Sequence, residues 1–190
     1  HRFAIIANHY LPLKMALCNM ESLVNTAIVL GTSRKNGNTH KLVELYQNNK
    51  SADVFFLSDY SISIYDYEHK NKDDDFIGLA KKLLEYDHLV FATPMYWYSM
   101  SGQMKVFFDR LSDLLTIEKD SGRGLRGKTC SVLATGVDLE PPACFEQPFI
   151  LSAKYLGMDY KEMLYCSCED SFHEIEHIDK LHKHIGVNVT

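Results

Sequence analysis

The chain of 190 residues is 46% hydrophobic, enough for one domain with a sizeable core. Its net charge of −5, with 20 Lys and Arg against 25 Asp and Glu, argues against nucleic-acid binding, which needs a basic face. No run approaches the ~18 apolar residues of a membrane span.

The five cysteines, at 18, 130, 144, 166 and 168, are odd in number and mostly set in apolar runs. They read as small core residues in a reducing, cytoplasmic compartment rather than as a disulfide framework. Residues 1–19 fit no secretory signal, because Asn8, His9, Pro12 and Lys14 interrupt the apolar stretch. Met20-Glu21 stands just before the first convincing strand. The expectation is therefore an N-terminal extension over 1–24, of which 1–19 is non-native and translation starts at Met20, and one domain over 25–190.

Thr26–Leu30 is β-branched and aliphatic, the composition of a buried strand. Thr39–Asn48 carries Leu42, Val43 and Tyr46 at helical spacing, with Asn38 as N-cap. Asp53–Leu57 reads as a second strand, and 58–72 as a polar, tyrosine-rich connection. Asp73 to Asp75 open a helix bearing Phe76, Ile77, Ala80, Leu83 and Leu84. His88–Ala92 is a third strand, expected to stop at Pro94.

From Gly102 a helix places Met104, Phe107, Phe108, Leu111, Leu114 and Leu115 on one face, with Lys105 and Asp109 paired opposite. The charged, glycine-rich segment 117–127 reads as a mobile surface loop whose Arg123 and Arg126 could attract a nucleotide phosphate. Strands at Lys128–Thr135 and Tyr160–Tyr165 and helices at Ala143–Leu156 and Phe172–Ile185 complete the pattern. Five strands alternating with helices specify an α/β fold, a parallel sheet covered on both faces.

Two turns carry the chemistry. Gly31-Thr-Ser-Arg-Lys-Asn-Gly-Asn-Thr39 joins the first strand directly to a helix, where free N–H groups and the dipole converge on an anion. Ser33 and Thr39 add hydroxyls, Asn38 an amide, and Arg34 a planar fork suited to phosphate. Five residues separate Gly31 from Gly37 and Asn38 stands in the lysine position, so this is no Walker A loop, and the dinucleotide fingerprint is absent. A monophosphate fits best.

The second turn, Thr93-Pro-Met-Tyr-Trp-Tyr-Ser-Met-Ser101, sets Tyr96, Trp97 and Tyr98 in a row after the third strand. It has the flat apolar area that a planar heteroaromatic ring requires, with a flavin the leading candidate. The two turns follow strands one and three, which flank the switch point in the flavodoxin-like order 2-1-3-4-5.

These two segments, with Met104-Lys105 and Phe108-Asp109-Arg110-Leu111, resemble the NAD(P)H-dependent FMN reductase family, a branch of the flavodoxin-like fold. The resemblance implies a three-layer domain and FMN as cofactor, its phosphate held by Ser33, Arg34, Asn38 and Thr39. It implies the ring against Pro94, Met95, Tyr96, Trp97, Tyr98 and Ser99, with Ala134–Asp138, through Thr135 and Gly136, approaching from the other side. It also implies NAD(P)H as co-substrate, a small-molecule acceptor such as a quinone or flavin, and a homodimer. Related iron–sulfur flavoproteins carry a cysteine cluster after strand two; Asp59–Lys70 has no cysteine, so no cluster is expected there. The alternatives are a flavodoxin-type electron carrier without its own substrate and a flavin-free ligand-binding protein on the same fold.

Other signals were weaker. His173-Glu-Ile-Glu-His177 matches H-E-x-x-H, but Lys180 and Lys183 break the longer metzincin pattern, so a solvated histidine face is expected and no metal. Cys166-Ser-Cys168 lacks the redox C-x-x-C spacing.

Overall fold

Strand β1 (Thr26–Leu30) is buried at every position, as its β-branched and aliphatic composition dictates. The computed structural model describes residues 24–186; the expected extension, apart from Val24, lies outside them. The chain continues through α1 (Asn38–Asn49), β2 (Asp53–Phe56), α2 (Asp75–Leu83), β3 (His88–Tyr96), β4 (Ser99–Met100), α3 (Gly102–Arg110), α4 (Asp113–Thr116) and α5 (Lys119–Arg123). It then forms β5 (Thr129–Gly136), α6 (Ala143–Leu156), β6 (Asp159–Ser167) and α7 (Glu174–Ile185).

Five strands pair in parallel in the order β2-β1-β3-β5-β6, and β4 pairs antiparallel with β3. Counting parallel strands alone, this is the expected 2-1-3-4-5. The period-2 alternation of each strand divides the core in two. Ala27, Val29, Leu89 and Phe91 face Phe76, Leu79, Met104, Phe107 and Phe149 of α2, α3 and α6. Ile28, Leu30, Val90 and Ala92 face Leu42, Val43 and Tyr46 of α1 and Leu181 of α7. Each such side chain, fully buried, contributes about 1.5–3 kcal/mol.

Pro94 does not end the third strand. β3 runs on to Tyr96, with Pro94 in register with Thr135. The reason lies in which side its nitrogen faces. The carbonyl of Ala92 accepts from Gly31 N at 2.9 Å on the β1 side, and residue 94 points the same way. There β1 has already ended, so no ladder bond is lost.

Segment 58–74 is fixed by a buried cation. Arg110, at the end of α3, is 0% exposed. Its Nε donates to Asp113 Oδ2 at 2.7 Å, and its Nη1 to Asp74 Oδ2 at 2.5 Å and to the Ser63 carbonyl at 3.1 Å. The guanidinium also lies 4.9 Å from the centre of the Phe76 ring. Asp113, also 0% exposed, meets His69 Nδ1 at 2.9 Å through its other oxygen. Burial disfavours the charge on Asp74, but Arg110 and the N–H groups of Ser63 and Phe76 outweigh it and hold the carboxyl below its usual range. Asp74 is also the N-cap of α2, accepting from Phe76 N at 3.0 Å.

Three local expectations are corrected. Segment 117–127 contains α5, with Ser121 and Gly122 buried, because a Cβ at Gly122 would lie 2.2 Å from the Leu114 carbonyl oxygen. Arg123 and Arg126 precede β5, so they sit at the opposite end of the strands from the two turns. The histidine stripe is solvated only in part: His173 and Lys180 are exposed, but His177 is 4% exposed and packs on Phe172, and the His184 side chain is 5% exposed.

Candidate functional site

At the C-terminal ends of β1, β3 and β5 lies an open cleft of about 190 Å³, the position where open α/β sheets bind ligands. Its lining joins Thr32, Arg34, Gly37, Asn38 and Thr39 with Pro94, Met95 and Tyr96, and with Thr135, Gly136, Val137 and Cys168. The two turns singled out in sequence therefore face one space.

The first turn delivers an anion site. The N-cap of α1 is Gly37, not Asn38, and no side chain caps the helix. The first N–H groups of α1 are thus left for a ligand. Arg34 is exposed and is the one charged residue lining the cleft. Thr39 is buried, with its hydroxyl 2.7 Å from that of Thr135, so it ties α1 to β5. Ser33 is exposed and does not line the cleft.

The second turn is a hairpin rather than a loop. Met95 pairs with Met100 and Tyr96 with Ser99, leaving Trp97 and Tyr98 as a two-residue turn with φ of 49° and 63°. Positive φ at both central positions is the type I′ geometry that Asn-Gly adopts readily. For bulky residues it costs on the order of 1–3 kcal/mol each. Trp97 is 94% and Tyr98 60% exposed. Neither they nor the exposed Ser99 line the cleft; of the predicted aromatic residues, Tyr96 alone does.

Ser101, missed as a site residue, braces the two turns. Its hydroxyl donates to the Gly31 carbonyl at 2.7 Å and accepts from Met104 N at 3.2 Å as the N-cap of α3. Its N–H donates to Thr93 Oγ1 at 2.9 Å. A Cβ at Gly31 would come within 3.0 Å of Met104 N, so glycine permits this approach.

The far wall is held by β6. Cys168 N donates to the Gly136 carbonyl at 2.7 Å, and Tyr165 Oη to the Asp138 carbonyl at 2.9 Å. Burial raises the Cys168 thiol above its ordinary value and Cys166 to about 12, so both are poor nucleophiles at neutral pH. Val137 belongs to the Ala134–Asp138 segment expected on this side, whereas Cys168 was missed as a lining residue; no local signal marks a residue brought to the cleft by the strand order alone.

The lining fits a flavin mononucleotide. One end offers uncapped helical N–H groups and a guanidinium to a phosphate, and the other a flat edge at Pro94–Tyr96 facing Thr135–Val137.

Comparison with known proteins agrees. The chain is 33% identical over 147 residues, 71% of its own length and 80% of the relative's, to Bacillus subtilis YwqN, named as an NAD(P)H-dependent FMN-containing oxidoreductase. Its fold is similar to that of the Trp repressor binding protein of B. subtilis, at 24% identity and TM-score 0.68, over 87% of this chain and 98% of that one. It is also similar to the NAD(P)H:acceptor oxidoreductase FerB of Paracoccus denitrificans, at 16% identity and TM-score 0.66, over 86% and 94%. The sequence profile of the NADPH-dependent FMN reductases matches residues 24–145. With that match over more than half its length, the chain belongs to the NADPH-dependent FMN reductase family.

Proposed function

We propose that the cleft holds FMN with its phosphate at the N-terminus of α1 and its ring along Pro94–Tyr96. The enzyme then passes two electrons from NAD(P)H to a small acceptor such as a quinone or free flavin. The observation that carries this reading is the joint lining of one cleft by Arg34, Gly37 and Asn38 and by Pro94, Met95 and Tyr96. When bound, FMN supplies hydride acceptance from the nicotinamide and electron delivery to the acceptor. Arg34 and the first N–H groups of α1 bind and neutralise the phosphate. Thr39, joined to Thr135, fixes the spacing between the first turn and the far wall, and Ser101 fixes it between the two turns.

We extend the proposal to a cytoplasmic homodimer. The buried free thiols Cys130, Cys166 and Cys168 support a reducing compartment. Support for self-association comes from a groove of about 340 Å³ between α3–α4 and α6, whose eight lining residues are all uncharged. On its rim Leu115, Leu151 and Tyr155 are 41%, 59% and 77% exposed, an apolar face of the kind that marks interfaces.

The test is an absorbance spectrum between 350 and 500 nm, with NADPH oxidation assayed against ferricyanide. Flavin bands and brisk turnover are expected. Protein that stays colourless after FMN is added and the excess removed would reject the reading.

A further inference from the structure

We propose that Trp97 and Tyr98 form an aromatic platform that selects planar apolar acceptors at the mouth of the cleft, an inference that rests on the cleft being the flavin site. The turn they occupy has φ of 49° and 63°, positions that Asn and Gly fill without strain and where bulky side chains are outliers. Neither ring recovers that strain inside the molecule. Trp97 and Tyr98 are 94% and 60% exposed, and no aromatic ring or hydrogen-bonding side chain among the described residues pairs with either. Strain kept where the side chains lie mostly in solvent, without an internal ring or hydrogen-bond partner, points to a role toward an outside ligand.

The location names that ligand's class. The turn continues directly from Met95 and Tyr96, which line the cleft. On the opposite wall Val137, also lining, is 66% exposed, and Leu139 beyond it 89%. The mouth is therefore rimmed by apolar and aromatic surface on two sides, whereas the end formed by Arg34 and Asn38 is polar. A flat aromatic acceptor gains by stacking on such a rim. A small, highly charged inorganic acceptor gains nothing from it.

The decisive variant is the double substitution Trp97→Asn with Tyr98→Gly, which supplies the residues the turn prefers while removing both rings. It is assayed as the FMN-saturated enzyme, with NADPH as donor and either a naphthoquinone or ferricyanide as acceptor. The expected result is a melting temperature higher by about 4 °C or more. With it comes an about ten-fold fall in the naphthoquinone-to-ferricyanide ratio of kcat/KM, carried by KM. Trp97→Phe with Tyr98→Phe should restore most of that ratio.

An unchanged ratio in the Asn-Gly variant overturns the proposal, as does failure of the Phe pair to restore it. A lower melting temperature, or a smaller species on size-exclusion chromatography, also overturns it, because the rings would then be packing or subunit contacts. Absence of FMN binding, or of NADPH oxidation with either acceptor, in the unsubstituted protein rejects the flavin reading itself and the platform with it.

Discussion

Arg34 is the cleft's single permanent charge, so its removal tests the phosphate end most directly. A charge-assisted contact to phosphate is worth about 1.5–3 kcal/mol, and Arg34→Ala should weaken FMN binding roughly ten-fold or more. Ser33→Ala should change it by less than about two-fold, since Ser33 does not line the cleft. Flavin-fluorescence titration of both variants checks the pair; equal affinities would remove Arg34 from the phosphate site. A sequence reading ranks these neighbours alike, because both are polar residues of one turn. Their separation comes from the turn's path, which buries Thr32 and Gly37 and brings Arg34, but not Ser33, to the cleft lining.

Two histidines link protonation to stability. Burial lowers His88 and His184 to about 4. His88 is held between Thr129 Oγ1 at 2.7 Å and Ser131 Oγ at 2.9 Å. Glu162 lies 3.4 Å from His184 but is half in solvent, and its pull does not offset the burial. Below about pH 6.5 the unfolded chain takes up protons that the native state excludes. Stability is therefore full above pH 6.5 and falls toward pH 4, by on the order of 3 kcal/mol for each histidine. Urea titrations at pH 7 and pH 4.5 should show this loss, and His88→Gln with His184→Gln should flatten it.

Among the elements, α3 and the 58–74 segment depend on Arg110. Replacing it by Met takes the cation away from the carboxylates of Asp74 and Asp113, at a cost of about 3–5 kcal/mol. Urea midpoints measure this, and a loss below about 1 kcal/mol would show that the network contributes little. The Phe-Asp-Arg-Leu run was visible in the sequence; its role was not, because the partners come from a connection whose polar composition reads as solvated. The hairpin was hidden for a related reason. A proline after an apolar run signals a strand end, and only the early finish of β1 beside it makes Pro94 harmless. Trp-Tyr is also not turn chemistry for a type I′ hairpin, so local propensity pointed away from the fold adopted.

At the scale of the molecule, the strand order was legible because alternating strands and helices leave few topologies. The site followed in outline, since loops after β1 and β3 must share an edge. Self-association has no such signature: the α6 face of Leu151 and Tyr155 reads like any amphipathic helix until its uncharged groove with α3 and α4 is seen. Leu151→Asp with Tyr155→Asp should convert a dimer to a monomer, with light scattering as the check. A monomeric unsubstituted protein would remove the proposed interface.

The position of the chain's sole tryptophan has an optical consequence. Trp97 stands in water at the hairpin tip, so its emission in the native protein should already resemble that of a denatured chain. Indole fluorescence will then follow global melting poorly. The same residue stands within energy-transfer range of anything seated between β3 and β5, so cofactor or acceptor arrival should dim it. The protein thus carries a built-in reporter, blind to its core and tuned to its entrance.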